Sequence, residues 1–264
     1  MTDPVLERFL EHFQIDPNVA PRELVRRVAT MFARLPYENL SKILKSEREE
    51  NAERARRGAE EVLGDHIALG TGGTCFSLTA CLVHLLRALG FEAQPLLADR
   101  SYGDNTHCAL VVWIEGAPEL IDPGFLLTDP TPLGRESETR ISHPSHDVIL
   151  RPREKSIELF TSRHGQEVRR LEIKKRPIDD GEFRDVWDAS FDWDMMRYPV
   201  VTQFAGDSHL YLQGRSLRRR NATENEQVEL GDAELAARIA REFGIDRTLA
   251  ERALQSIQRR EGQL

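Results

Sequence analysis

The chain changes its hydrophobic period near Gly90, and a chain that does so can fold neither as an all-helical bundle nor as an all-β sandwich. Before that point apolar residues recur three and four apart. Val5, Leu6, Phe9, Leu10 and Phe13 form one stripe, with Asp3 as N-cap and Pro4 just inside it. Leu24, Val25, Val28, Phe32 and Leu35 form a second, which Pro36 stops. "CFSLTACLVHLLRALG" predicts a buried helix that ends at Gly90. Beyond it, "EAQPLLADRSY", "HCALVVWIEG", "APELIDPGFLL", "HDVILRP", "SIELFTSRHG" and "QEVRRLEIKKR" are short β-prone runs divided by turn residues. Residues 102 to 173 therefore read as an antiparallel sheet or barrel. A hairpin about Gly214, one more strand in "EQVEL" and two helices, one capped by Asp232 and one with Asp246 at its start, give a mixed α/β end. Residues 45 to 60 are densely charged and read as a solvated helix face or linker; residues 176 to 205 read as irregular.

At 264 residues the chain exceeds one small core, so one large or two to three smaller subdomains are expected. A net charge of −8 argues against nucleic acid or an anionic membrane as the main partner. Three cysteines in this length make no disulfide framework and suit a reducing compartment. "MTDPVLERFLEHFQ" lacks the basic and apolar regions of a signal peptide, and no apolar run reaches membrane-spanning length. The expected location is cytoplasmic.

The chemistry concentrates in "GTGGTCFSLT", residues 70 to 79. Cys75 stands where a glycine-rich turn meets a helix, and the unpaired amides of a helix N-terminus favour a thiolate. Gly73 and Thr74 belong to the turn, whose amides are placed to meet a developing oxyanion. A thiolate needs a base, and the base an orienter. His107 opens one β-prone run and Asp122 ends the next, with "EGAP" as the turn that would set them side by side. Each alone also reads structurally: a buried small thiol, an edge histidine, a turn aspartate.

"PYENL" (36 to 40), "GGTCFSL" (72 to 78), "NTHCALVVW" (105 to 113) and "LIDPGF" (120 to 125) resemble, in order, the signature stretches of arylamine N-acetyltransferases. The resemblance implies an α+β fold with an N-terminal helical bundle, a central antiparallel β-barrel and a C-terminal α/β lid. Set on the period changes, these fall at residues 1–90, 91–195 and 196–264. It implies a catalytic triad of Cys75, His107 and Asp122, with acetyl-CoA or another acyl thioester as co-substrate and no permanently bound cofactor or metal. Tyr37 and Phe125 would line the acceptor pocket, or serve simply as core, and Gly124 would lie toward the cofactor.

The sequence departs from that pattern in four places. Thr71 stands where the family has an arginine, so Glu38 loses its expected partner; Ser77 and Thr79 replace a glutamate and an asparagine. Pro123 removes an amide from the turn after Asp122. Leu126 and Leu127 replace glycines that give room to the phosphate end of CoA. Arg215 and Arg218 to Arg220 could meet phosphates, but read first as a solvated cluster; His143 and His146 read as ordinary loop histidines. The leading function is acyl transfer from a thioester through Cys75 to an amine such as an arylamine. The alternatives are an amide synthase or thiol-dependent amide hydrolase using a non-CoA donor, with a carrier protein as candidate partner, and a non-catalytic small-molecule-binding homologue.

Overall fold

The computed structural model describes residues 3–143 and 145–261. Helices α1 (Pro4–Phe13) and α2 (Pro21–Phe32) carry the two apolar stripes. Asp3 caps α1, accepting the amides of Val5 and Leu6 at 2.9 and 3.0 Å. After a two-residue strand β1 (Tyr37–Glu38) come α3 (Leu40–Arg48), α4 (Ala52–Ala55), α5 (Ala59–Leu69) and α6 (Cys75–Ala88). Helix α6 is apolar nearly all round because it is central. Its Phe76, Leu82, Leu85 and Leu86 share one core with Phe9, Val25, Val28 and Phe32.

Strands β2 (Glu92–Arg100), β3 (Gly103–Ile114), β4 (Ala117–Asp122), β5 (Leu127–Pro132), β6 (Thr139–Ser142), β7 (Asp147–Pro152), β8 (Ser156–Arg163) and β9 (Gln166–Pro177) form one antiparallel sheet, in the order β5-β4-β3-β2-β9-β8-β7-β6. Among the described residues β5 and β6 are edges that do not pair with each other, so the expected barrel is an open, curled half-barrel. Strand β3 is apolar at successive positions because both its faces are covered. Cys108, Leu110 and Val112 meet the α6 core, while Ala109 and Val111 meet a second core with Leu96, Leu159 and Ile173. The β8–β9 turn is tight, with His164 and Gly165 both at positive φ (51° and 78°).

The lid sheet comprises β10 (Val200–Ala205), β11 (Ser208–Gln213), β12 (Ser216–Arg220) and β13 (Asn225–Glu229). Its fifth strand is β1, with Tyr37 opposite Thr202 and Glu38 opposite Val201. Helices α8 (Asp232–Phe243) and α9 (Arg247–Glu261) cover one face of this sheet through Leu235, Ile239, Phe243 and Ala250.

Three local expectations are corrected. The segment read as irregular contains α7 (Asp180–Ala189) and β10. Asn39 holds it, donating to the carbonyls of Met195 and Tyr198 at 2.6 and 2.8 Å and accepting from the Val200 amide at 2.8 Å. The charged stretch 45–60 is no simple solvated face: it spans the end of α3, all of α4 and the start of α5, and it delivers a deeply buried Arg57. Asp232 is the first residue of α8 rather than its cap and pairs with Arg215 at 2.6 Å, whereas Asp246 does cap α9 through the Leu249 amide. No helix among the described residues is long and apolar enough to cross a membrane.

Candidate active site

The turn before α6 is set by close approach. A Cβ on Gly72 would fall 2.0 Å from the Pro36 carbonyl oxygen, so only glycine lets strand β1 lie against it. The Gly73 amide donates to Pro36 O (3.3 Å), and the Glu38 amide donates to Gly73 O (3.0 Å). Gly73 is thereby a fixed turn residue whose amide is already engaged. The amides left without intrahelical partners are those of the first turn of α6. Thr74 is the N-cap without a side-chain cap bond, and its Oγ1 is buried and unbonded.

The sequence expectation that Glu38 lacks a partner has a structural answer. Arg57, 2% exposed, occupies the role that Thr71 cannot. Its Nη1 donates to Ser41 Oγ and Gly72 O, both at 2.6 Å, and lies 3.8 Å from Glu38 Oε1; its Nη2 reaches Asp65 at 2.8 Å. Ser41 completes the network, donating its amide (2.9 Å) and hydroxyl to the Glu38 carboxylate. A buried carboxylate needs such partners, and here they tie β1, α3 and the turn before α6 into one unit.

Cys75 is 3% exposed; His107 and Asp122 are fully buried. His107 Nε2 contacts Asp122 Oδ2 at 2.7 Å. Gly124 gauges the fit of the thiol to the imidazole: a Cβ there would lie 2.9 Å from His107 Cε1 and 3.0 Å from Cys75 Cβ. The glycine expected to lie toward the cofactor thus packs directly against Cys75 and His107. Asp122 is held by the Phe125 amide, which donates to Oδ1 at 2.8 Å and so serves a turn that Pro123 cannot. The Phe125 ring packs on the core of the curled sheet, while Tyr37 is buried beside Cys75 and Arg100, and its hydroxyl pKa is pushed up chiefly by burial.

Electrostatics favour a charged pair. A hydrogen bond from Cys108, outweighing burial, together with His107 and Arg100, holds the Cys75 thiol well below its usual range. Burial and the new thiolate keep Cys108 protonated. Burial works against His107, but Asp122 and Cys75 raise it from 6.5 to about 9.

Sequence reasoning missed Arg57, Cys108, Arg100 and Lys42. Arg100 Nη2 lies 3.2 Å from His107 Nδ1. Cys108 follows His107 directly and lies 3.5 Å from Thr79, one helical turn beyond Cys75, so its position beside the motif was the available signal. Lys42 Nζ, buried, donates to Ser190 O at 2.9 Å and sits 4.2 Å over the Phe191 ring; burial lowers its pKa to about 7.

The same fold is found in known proteins. No curated protein matches the sequence. A solved arylamine N-acetyltransferase of Mycobacterium smegmatis is 20% identical, with 96% of this chain and 98% of that one covered at a TM-score of 0.79. The Mycobacterium marinum enzyme in complex with CoA is 19% identical, covering 96% and 99% at 0.77. The Bacillus cereus enzyme described with a Cys-His-Glu catalytic triad is 19% identical, covering 93% and 100% at 0.72. At this identity the structures establish the fold, and the α+β architecture is theirs. The family model described as N-acetyltransferase matches residues 22–252, most of the sequence, and on that match the chain belongs to the arylamine N-acetyltransferase family.

Proposed function

We propose that the protein is an N-acyltransferase that carries an acyl group on Cys75, taking it from a thioester such as acetyl-CoA and passing it to an amine. The observation that carries this reading is the buried His107–Asp122 contact of 2.7 Å beside a thiol at a helix N-terminus. Between the lowered pKa of Cys75 and the value of about 9 for His107, the resting pair is thiolate and imidazolium. The Cys75 thiolate attacks the thioester carbonyl and forms a tetrahedral oxyanion. First-turn amides of α6, with Thr74 Oγ1, are its available donors. Collapse breaks the carbon–sulfur bond to the donor, whose thiolate takes the proton from His107 Nδ1. The incoming amine then attacks the Cys75 acyl carbon and gives its proton to the now neutral His107. Amide release restores the thiolate. Asp122 fixes the ring and stabilises its cationic form throughout.

Intact-protein mass spectrometry after brief exposure to acetyl-CoA tests this. An added acetyl group on the wild type and none on Cys75→Ala is the expected result. No increment, with Cys75 still alkylated rapidly by iodoacetamide, would remove acetyl-CoA as donor. One observation favours a second reading with the same triad and another donor. Leu126 and Leu127 are buried, 4% and 3% exposed, so the turn after Asp122 leaves no open space where the family has glycines.

A further inference from the structure

Arg57 and Arg100 are both withdrawn from water, and only one of them is provided for. Arg57 meets Ser41 Oγ, Gly72 O, Asp65 and Glu38. A guanidinium held inside for the sake of the fold has acceptors of this kind around it. Arg100, at the end of β2, brings five N–H donors. It makes one hydrogen-bond contact among the described residues, Nη2 to His107 Nδ1 at 3.2 Å. Its Nε is buried without a partner. No carboxylate among the described residues stands within ion-pair distance of it. Asp99, beside it in sequence, is held by Lys174 at 2.9 Å and the Asn105 amide at 2.7 Å. Asp122 spends its oxygens on His107 and the Phe125 amide.

Even the contact with His107 depends on where the proton is. In the resting pair Nδ1 carries it, and an N–H offers a guanidinium nothing to bind. Burial opposes the positive charge of Arg100, but Tyr102, Tyr37, Cys75 and Asp122 sustain it. Arg100 in turn helps to hold Cys75 as a thiolate. Acylation removes that negative charge. An acetyl group turns the thiolate into a neutral thioester and leaves a buried cation without its counter-charge. An acyl group that bears its own carboxylate puts the negative charge back. The cover over Arg100 also suits a ligand: the Tyr102 ring, 6.0 Å from the guanidinium carbon, belongs to the β2–β3 turn and is 73% exposed.

We propose that Arg100 binds the free carboxylate of a dicarboxylic acyl group, so that the thioester taken up by Cys75 is a half-thioester of the malonyl or succinyl kind. This rests on the acyl-transfer reading above and names its acyl class. The Cys75 thiolate attacks the thioester carbonyl, the carbon–sulfur bond to the donor breaks, and the departing thiolate takes the proton of His107 Nδ1. Nδ1 then accepts from Arg100 Nη2, while the other guanidinium N–H groups hold the acyl carboxylate. The geometry favours the acyl group over the acceptor amine as the source of that carboxylate. Arg100 Nη2 is 3.2 Å from the nitrogen that exchanges protons at the reacting carbon. A carboxylate one or two carbons from that carbon comes within its reach. A carboxylate across an aromatic ring from the attacking amine lies a ring's width farther off.

The test measures the rate of Cys75 acylation, by intact mass, in pairs matched for chain length: malonyl-CoA against propionyl-CoA, and succinyl-CoA against butyryl-CoA. The CoA end is common to all and cancels. The proteins are the wild type, Arg100→Gln and Arg100→Lys. The wild type is expected to prefer the carboxylated member of at least one pair by at least about tenfold, and Arg100→Gln to lose that preference. Arg100→Lys, which keeps the charge but not the fork, is expected to fall between them. A wild-type ratio at or below one in both pairs overturns the proposal. So does an Arg100→Gln variant that slows both members of a pair alike, because Arg100 is then only a counter-charge to the thiolate. Should Arg100→Gln not fold, an unchanged ratio in Arg100→Lys overturns it instead. With acetyl-CoA as donor, an effect of Arg100→Gln confined to the choice between 4-aminobenzoate and its amide as acceptor also overturns it. If no thioester acylates Cys75, the acyl-transfer reading fails separately, and alkylation decides the carboxylate site. Iodoacetate outpacing iodoacetamide at Cys75, relative to their rates on free cysteine, with the excess lost in Arg100→Gln, supports the site; no excess in the wild type sinks it.

Discussion

His107 lies in the strand beside Cys75 and His209 in the lid sheet, and both are withdrawn from water with opposite results. Burial, then His146 and Arg220, lowers His209 to about 4, and its Nε2 finds only the Thr202 hydroxyl at 2.7 Å. His107 is buried more deeply, yet it rises to about 9, because Asp122 lies 2.7 Å away and the thiolate of Cys75 faces it. Desolvation by itself neutralises a histidine; a carboxylate buried with it reverses the outcome. The fold therefore sets the charge of a histidine less by hiding it than by choosing which charges it hides together.

The largest effect should come from removing the charge that makes the difference. Asp122→Asn keeps the shape and a hydrogen bond but leaves only Cys75 to oppose the burial of His107. Acylation of Cys75 should fall by about 10³–10⁴. The pH profile of iodoacetamide alkylation should move upward toward that of an ordinary thiol, about 8.5. A profile that stays in place would mean that Cys108 and Arg100 sustain the thiolate without the His–Asp pair.

Next in size is the buried charge behind the nucleophile turn. Arg57→Met leaves Glu38 uncompensated and removes donors to Ser41 Oγ and Gly72 O. Stripping one partner from a buried pair costs roughly 3–5 kcal/mol, to be read from urea unfolding. A loss below about 1 kcal/mol would place the Glu38 site on the exposed side of the comparison.

Arg57 also marks where the sequence stopped being legible. The meeting of Cys75, His107 and Asp122 could be read because they stand in short motifs with a distinct local form, a glycine turn before a helix and two strand ends. Arg57 sits in "ERARRGAE", where one buried guanidinium looks like its exposed neighbours. Only the closure of β1 on Gly72, made by residues far away in sequence, decides which arginine goes inside. Strand β10 was hidden for the same reason. "VVTQFA" pairs with two residues, Tyr37 and Glu38, that sit between helices, and with a hairpin that follows it. Helix α7 lay in a run of Asp, Trp and Phe with no clean period. The helical and β regions were visible because their periods differ; the half-barrel's open edge was not, since closure is a property of strand tilt and stagger.

The two histidines should also tilt stability in opposite directions with pH. For His209 the folded value of about 4 lies below the unfolded 6.5, so the unfolded chain takes the proton first. Its contribution is whole above pH 6.5 and is lost as the pH falls toward 4. His107 is raised, so its contribution is present below 6.5 and is lost as the pH rises through about 9. His209→Gln should therefore recover about 1–2 kcal/mol at pH 5 relative to pH 8, after allowance for residual solvent. Denaturant unfolding at the two pH values measures it. An unchanged pH dependence would show that the lid face stays wet enough to leave His209 near its free value.

The smallest effect tests whether any carboxylate near a histidine acts as Asp122 does. Asp147 raises His146, whose pKa is nevertheless pulled to about 4 by burial and then by His143, Arg220 and Arg170. It differs from Asp122 in being part-exposed and engaged elsewhere: it pairs with Arg140 at 2.9 Å and accepts from Ser142 Oγ at 3.1 Å. Water screens such a carboxylate, and Arg140 cancels much of its field. Asp147→Asn should therefore shift the ring titration of His146, followed by NMR, downward by less than about half a unit, and change stability at pH 7 by under about 0.5 kcal/mol. A fall of more than one unit would show that an exposed, already paired aspartate governs a neighbouring histidine. The contrast between His107 and the lid cluster would then have to rest on the number of arginines nearby rather than on where the carboxylate is buried.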